Sequence, residues 1–179
     1  MTCTVRGYPS LSKYMDTVEK NPEALKPDCC PKCQCSDLGP HGFYMRMTVR
    51  KDVDRLIKDV VHILRFQCDQ CHKTFGALPE FISPRRWYLW CMQQAIIAGQ
   101  YHGFSKAFLA EQYGVSRDTV YRWNCWFDEN QDQYRKIIYS FNQHEGMTFS
   151  CEQYWLFRFK RGSLSQDMLL IYASGIIVP

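Results

Sequence analysis

Two pairs of cysteines, each separated by two residues, constrain this chain more than any other feature: Cys30-Pro31-Lys32-Cys33 and Cys68-Asp69-Gln70-Cys71. At this spacing each pair closes a tight turn that aims two sulfurs at one point, and two such turns complete a tetrahedron. The expectation is one structural Zn2+ held by Cys30, Cys33, Cys68 and Cys71. Four thiolates leave no open position for water, so such an ion holds backbone together rather than catalysing. The 34 residues between Cys33 and Cys68 exceed common finger spacing, but a hairpin running out from one corner and back to the other accounts for them. Cys29, Cys35 and His72 flank the pairs as alternative ligands, and the sequence leaves open whether Cys35 replaces Cys33.

The remaining chemistry of the cysteines depends on the compartment. Met1 to Ser10 lacks the basic start, apolar stretch and cleavage site of a secretory signal, and no stretch approaches the roughly 20 apolar residues of a membrane span. A cytoplasmic protein is therefore expected, with no membrane partner and with its ten cysteines reduced. Cys68 to His72 also fits the c-type haem string, which would require export and would leave the first pair unexplained. A redox dithiol is disfavoured because neither pair lies between an evident strand and a helix N-terminus. Cys3, Cys91, Cys125 and Cys151 sit among apolar residues and read as small buried hydrophobes. Charge decides little: 22 Lys plus Arg against 18 Asp plus Glu leave +4, which permits a polyanionic partner without demanding one.

Periodicity divides the chain into an N-terminal lead-in (1–28), a zinc ribbon (29–80), a helical domain (81–128) and C-terminal helices (129–179). The lead-in is expected to be loosely attached, with a short helix near Ser12 to Lys20. Strand character at Gly42 to Val49 and Val60 to Gln67, joined by the charged stretch Arg50 to Asp59, gives the ribbon. Past Phe81, Trp87, Trp90, Cys91, Gln94, Ala95 and Ala98 recur at helical spacing, with Ser83 as cap, Pro84 at the first position and Gly99 near the end. Helices are expected to follow at Ser105 to Tyr113, Ser116 to Phe127 and Asp132 to Phe141, then behind capping boxes at Ser150/Gln153 and Ser163/Gln166. The expected class is α+β: a small antiparallel zinc ribbon with four cysteine ligands, followed by a mostly helical domain containing a helix-turn-helix.

From Lys106 to Cys125 the details match that motif. Small Ala110 permits close approach, Gly114 suits a left-handed turn, Ser116 caps the second helix, and Val115, Val120 and Trp123 fall where crossing helices bury them. The opposite face presents Arg117, Asp118, Tyr121 and Arg122 for base readout, with Ser116 and Thr119 for the phosphate backbone. Arg85 and Arg86 extend the candidate contacts to double-stranded DNA. Arg46, Arg50, Lys51, Arg55 and Lys58 add positive charge on the ribbon, interrupted by Asp52, Asp54 and Asp59, so a solvated hairpin tip fits them equally well. The bland alternative is a helical hairpin that only packs on its neighbours. Trp87, Trp90, Trp123 and Trp126 are assigned to the core.

The order of parts, Cys30-Pro31-Lys32-Cys33, then Arg65-Phe66-Gln67-Cys68-Asp69-Gln70-Cys71 with Lys73-Thr74-Phe75, then Tyr113-Gly114-Val115-Ser116-Arg117-Asp118-Thr119-Val120-Tyr121-Arg122-Trp123, resembles the N-terminal region of bacterial insertion-sequence transposases. In that family a zinc ribbon precedes a helix-turn-helix that recognises transposon ends. Such transposases continue into an RNase-H-like catalytic domain, for which the roughly 50 residues after Phe127 are too few. The resemblance thus implies a non-enzymatic, transposase-like regulator or accessory factor of a mobile element, associated with the bacterial nucleoid when DNA-bound. The C-terminal helices, aromatic around Tyr154 to Phe159, are the candidate surface for a homodimer or a protein partner. The competing class is a zinc-ribbon adaptor for a protein or structured RNA; a metalloenzyme would need an open metal position, for which only His41, His62 and His72 lie nearby.

Overall fold

The computed structural model describes residues 2–8, 10–53, 55–82, 86–141, 149–161 and 164–174. The protein is α+β, with a four-stranded sheet followed by a mostly helical part. Its contacts divide it into two units, Met1–Val49 with Lys58–Leu89 and Arg50–Ile57 with Trp90–Pro179.

The first unit is built on strands β1 (Thr2–Val5), β2 (Leu38–Asp52), β3 (Arg55–Cys68) and β4 (Thr74–Pro79), in the order β1-β4-β3-β2. β3 and β4 are antiparallel, with Phe66 opposite Phe75, and β1 runs parallel to β4, with Cys3 opposite Ala77. β-Branched Val61 and Ile63 of β3 are fully buried, as suits residues that pack well on a pleated surface. Helix α1 (Leu11–Lys20) opens at Ser10, whose hydroxyl accepts from the Lys13 amide at 3.3 Å. It sets Tyr14 into the core, where the phenol donates to the carbonyls of His62 (3.1 Å) and Ala77 (3.3 Å). The expected loose lead-in is thus a strand and a helix of the unit itself. A parallel pairing between Thr2 and Gly76 is too distant in sequence to leave a local signal.

The helix expected to start at Pro84 is described from Trp90, and the residues just before it pair with β2. The Val49 amide donates to the Trp87 carbonyl (2.7 Å) and the Leu89 amide to the Val49 carbonyl (3.1 Å). These bonds hold residues 87–89 against β2, and Trp87, expected in the core, is 64 % exposed. Ser83 and Pro84 lie outside the described residues.

The second unit contains α2 (Trp90–Tyr101), α3 (Lys106–Tyr113), α4 (Arg117–Phe141), α5 (Cys151–Arg161) and α6 (Leu164–Ala173). α2 touches all four of the others. Its buried residues, Trp90, Met92, Gln93, Ile96, Ile97 and Gly99, share one side of the helix, largely opposite the expected stripe of Cys91, Gln94, Ala95 and Ala98, and Cys91, expected to be buried, is exposed. Gly99 does not stop the helix; a Cβ there would lie 2.6 Å from Cδ2 of buried Leu109, so its role is the close approach of α3. The two helices expected at 116–127 and 132–141 are one, because the polar run Asp128-Glu129-Asn130-Gln131 contains no glycine or proline to break it. Phe127, Tyr134 and Ile138 of α4 join Tyr154 and Trp155 of α5 in an aromatic core, with the Phe127 and Trp155 rings 4.8 Å apart. Tyr154 and Trp155 are consequently buried within the unit. The Ser150/Gln153 capping box forms reciprocally, at 3.2 and 3.0 Å. Ser163 and residues 175–179 lie outside the described residues. No described helix is long and apolar enough to cross a membrane.

Residues 50–57, the tip of the β2–β3 hairpin, belong to this second unit. The Leu56 side chain lies against Gly114, and Lys51 donates to the Gln112 carbonyl while sitting 4.9 Å from the centre of the Tyr113 ring.

Candidate functional site

The two cysteine corners are one local structure made twice. At the first, the Cys30 amide donates to the Cys35 carbonyl (2.8 Å) and the Gln34 amide to the Cys30 carbonyl (3.0 Å). At the second, the Cys68 amide donates to the Lys73 carbonyl (3.0 Å) and the His72 amide to the Cys68 carbonyl (2.8 Å). In each, the residue after the second cysteine takes the left-handed conformation, Gln34 at φ 62° and His72 at φ 55°. The Asp69 amide donates to the Asp37 carbonyl at 3.1 Å and ties the corners together.

This arrangement brings the sulfurs of Cys30, Cys33, Cys68 and Cys71 within 4.8 Å of one another. Cys30 and Cys71 are 3.7 Å apart and Cys33 and Cys68 3.5 Å. Zn–S bonds of about 2.3 Å in a tetrahedron put sulfurs roughly 3.8 Å apart, so the donor set is compatible with zinc. Cys30 and Cys68 are fully buried and are part of the sheet's hydrophobic core, so the centre is continuous with the packing around it.

Electrostatics within the cluster are opposed. The Cys33 amide bonded to the Cys30 sulfur, with further help from the Lys32 amide, pulls that thiol down to about 7. The amide of Cys71 likewise leads in lowering Cys68. At Cys33 the Cys35 amide pulls down, but burial and the neighbouring sulfurs outweigh it and push the thiol up to about 12. Four touching sulfurs cannot all ionise without a cation among them, which is the condition a divalent metal satisfies.

The flanking candidates differ in their surroundings, and at Cys35 the Asp37 amide pulls the thiol down, but burial and the neighbouring Cys68 sulfur outweigh it and push it up. The Cys29 thiol donates to the Gln34 side-chain oxygen (3.1 Å), the Cys35 sulfur accepts from the Asp37 amide (3.3 Å), and His72 is exposed.

On the second unit, α3 is capped by Ser105, whose hydroxyl accepts from the Phe108 amide at 3.2 Å. It closes at Gly114, φ 60°, with the Val115 amide reaching back to the Ala110 carbonyl at 3.0 Å. Ser116 then caps α4 by accepting from the Thr119 amide at 3.1 Å. Ala110, Val115, Val120, Trp123 and Phe127 are buried where the sequence expects them. Ser116, Arg117, Asp118, Tyr121 and Arg122 are exposed, while Thr119 is only 8 % exposed and its hydroxyl is bonded to that of Ser116 (2.9 Å). Arg122 lies back along its helix, Nε donating to the Asp118 carbonyl at 3.3 Å. Arg86 is exposed in the first unit, and Arg85 lies outside the described residues.

Sequence reasoning passed over Lys106, whose ammonium sits 4.6 Å from the centre of the Tyr121 ring. It also passed over the exposed Phe104 and Phe108, stacked at 5.2 Å. The available signal was their position around Ser105, where a helix was expected to begin.

A family model described as a domain of unknown function (DUF6431) matches residues 30–123. The matched span opens on the first cysteine of the cluster and closes in α4, taking in both corners, the hairpin, α2 and α3. No curated protein and no solved structure matches the chain.

Proposed function

We propose that this chain, which belongs to the DUF6431 family, is a non-enzymatic, zinc-dependent double-stranded-DNA-binding protein, a transposase-like regulator or transposition accessory factor. In this reading Cys30, Cys33, Cys68 and Cys71 hold one structural Zn2+ that fixes the hairpin. α3 and α4 act as a helix-turn-helix, with α4 as the recognition helix. The observation that carries it is the α3–α4 junction, in which a left-handed Gly114, the Ser116 cap and inward Val115 and Val120 leave Arg117, Tyr121 and Arg122 exposed together. Arginine there can bond guanine with both arms, and Ser116 can hold a phosphate at the helix start. Thr119, turned inward, supports Ser116 rather than touching DNA.

A second reading is favoured by a different observation. Phe43, Met45 and Met47 of β2 and Val60 of β3 are exposed, and the Phe43 ring lies tilted against His62, centroids 4.9 Å apart. An apolar sheet face with an edge strand suits a protein partner, as a zinc-ribbon adaptor would use it. Fluorescence anisotropy of zinc-loaded protein with selected duplex, random duplex and single-stranded RNA, each across a salt series, separates the two. Selected duplex should bind at least about tenfold tighter than random, and Arg122→Ala should erase that preference. Absence of duplex binding at low salt would exclude the first reading and leave the adaptor.

A further inference from the structure

We infer that the tip of the β2–β3 hairpin is a second DNA-contacting element, which lies beside the N-terminus of α4 and grips the phosphate backbone flanking the bases that α4 reads. This rests on the DNA-binding reading above and adds a surface to it.

The tip is fixed in place by the turn between the two helices. Leu56 fills the space where a Gly114 side chain would stand, its Cδ1 3.1 Å from that Cβ position. On the other strand of the tip, Lys51 donates to the Gln112 carbonyl and covers the Tyr113 ring at 4.9 Å. Both strands of the tip are thus anchored on the last residues of α3 and the turn that follows. From Gly114 to Arg117, where α4 begins, is three residues, at most about 11 Å of chain. The major groove is about 12 Å wide, so an element this close to the first turn of a helix in the groove falls over the bordering phosphates.

Chemistry and exposure agree with that position. Side chains alternate along a strand, so with Leu56 turned to Gly114 its neighbour Arg55 turns away from the turn, and it is exposed. Arg117, Asp118, Tyr121 and Arg122 stay exposed with the tip docked, so the tip flanks the α4 surface without covering it. At the apex Val53 is 82 % exposed and holds φ 48°, a left-handed conformation that a β-branched residue adopts only at a cost in strain. Asp52, also exposed, is the one described acidic group on the tip and opposes a phosphate contact, which gives the idea a test of opposite sign.

The experiment is duplex binding by the full-length zinc-loaded chain across a salt series, with zinc content and circular dichroism checked for each variant. Arg55→Gln should weaken selected and random duplex alike, by about threefold to tenfold, and lower the slope of log affinity against log salt by about 0.9. Asp52→Asn should tighten both. Leu56→Ala, which keeps every charge, should weaken binding by loosening the tip. Lys20→Gln, at the end of α1, should leave the slope alone. If Arg55→Gln leaves affinity and slope unchanged while Arg122→Ala abolishes sequence preference, the tip is not a contact and the α4 reading stands. If unaltered protein binds no duplex, both fail together.

Discussion

The left-handed residues at the two cysteine corners and at the turn between α3 and α4 differ in kind. Gly114, between α3 and α4, is a glycine; Gln34 and His72, after the two cysteine pairs, are not. An ordinary side chain in this conformation is strained by about 1–2 kcal/mol and persists where its surroundings over-determine it. At the cysteine corners the backbone bonds from Cys30 and Cys68, and the convergence of four sulfurs, supply that determination. The helix turn has its own backbone bonds, from Gly114 and Val115 back to Glu111 and Ala110, and there Leu56 also claims the space of a side chain. The cysteine corners hold ordinary side chains in this conformation, as the hairpin apex does at Val53, whereas the helix turn uses the residue that adopts it freely.

With zinc in the cysteine cluster, as proposed, the largest effect expected is from loss of the metal. Structural zinc contributes roughly 10–16 kcal/mol in small zinc domains. Because Cys30 and Cys68 are also core residues, removing the ion opens the packing of Val61, Ile63 and Phe66 as well. A chelator, or Cys68→Ser, should therefore abolish the dispersed amide signals of the first unit. Signals from α4 and α5, held by Phe127, Tyr154 and Trp155, should remain. Two-dimensional NMR of the whole chain reads both at once, and simultaneous loss would show that the second unit also depends on the metal.

A smaller effect is expected at the turn. Gly114→Ala places a Cβ 3.1 Å from Leu56 and forces a left-handed alanine, together costing about 2 kcal/mol. Urea unfolding followed by tryptophan fluorescence should show the lowered midpoint. Combining the change with Leu56→Ala should recover the part due to contact and leave the part due to strain. Full tolerance of alanine would mean that the turn adjusts, and the contrast with the cysteine corners would weaken.

What could be seen in the sequence follows the same division. The four cysteines could be picked out because two-residue spacing is itself a geometry, and Ser116, Gly114 and the Ser150/Gln153 box because caps act over three or four residues. β1 could not, since its partner is β4, more than seventy residues away in the chain. Trp87 was expected inside because its spacing to Trp90 is helical, but backbone bonds to Val49 decide otherwise. α2 hid its buried face because that face includes Gln93 and Gly99, while Cys91, Ala95 and Ala98 stand on the other side. The association of residues 50–57 with the helices is a tertiary choice that no local pattern encodes. The hairpin's charges were visible, but what they stand next to was not.

The smallest expected effect tests the corners from the opposite direction. His72→Gly removes the strain of a left-handed side chain but gives the unfolded chain more freedom, and the two changes, each about 1 kcal/mol, nearly cancel. The backbone bonds of His72 survive the substitution, including its carbonyl's acceptance from the Gln67 side chain at 3.4 Å. Gln34 is a less clean position, since its side chain also accepts from Cys29. Zinc affinity, measured by competition with a chromophoric chelator, should accordingly change by less than about fivefold, the equivalent of about 1 kcal/mol. A loss beyond about tenfold would mean that the imidazole helps hold the ion. His72 would then be a fifth member of the centre, and its left-handed backbone would be a consequence of ligation instead of a tolerated strain beside it.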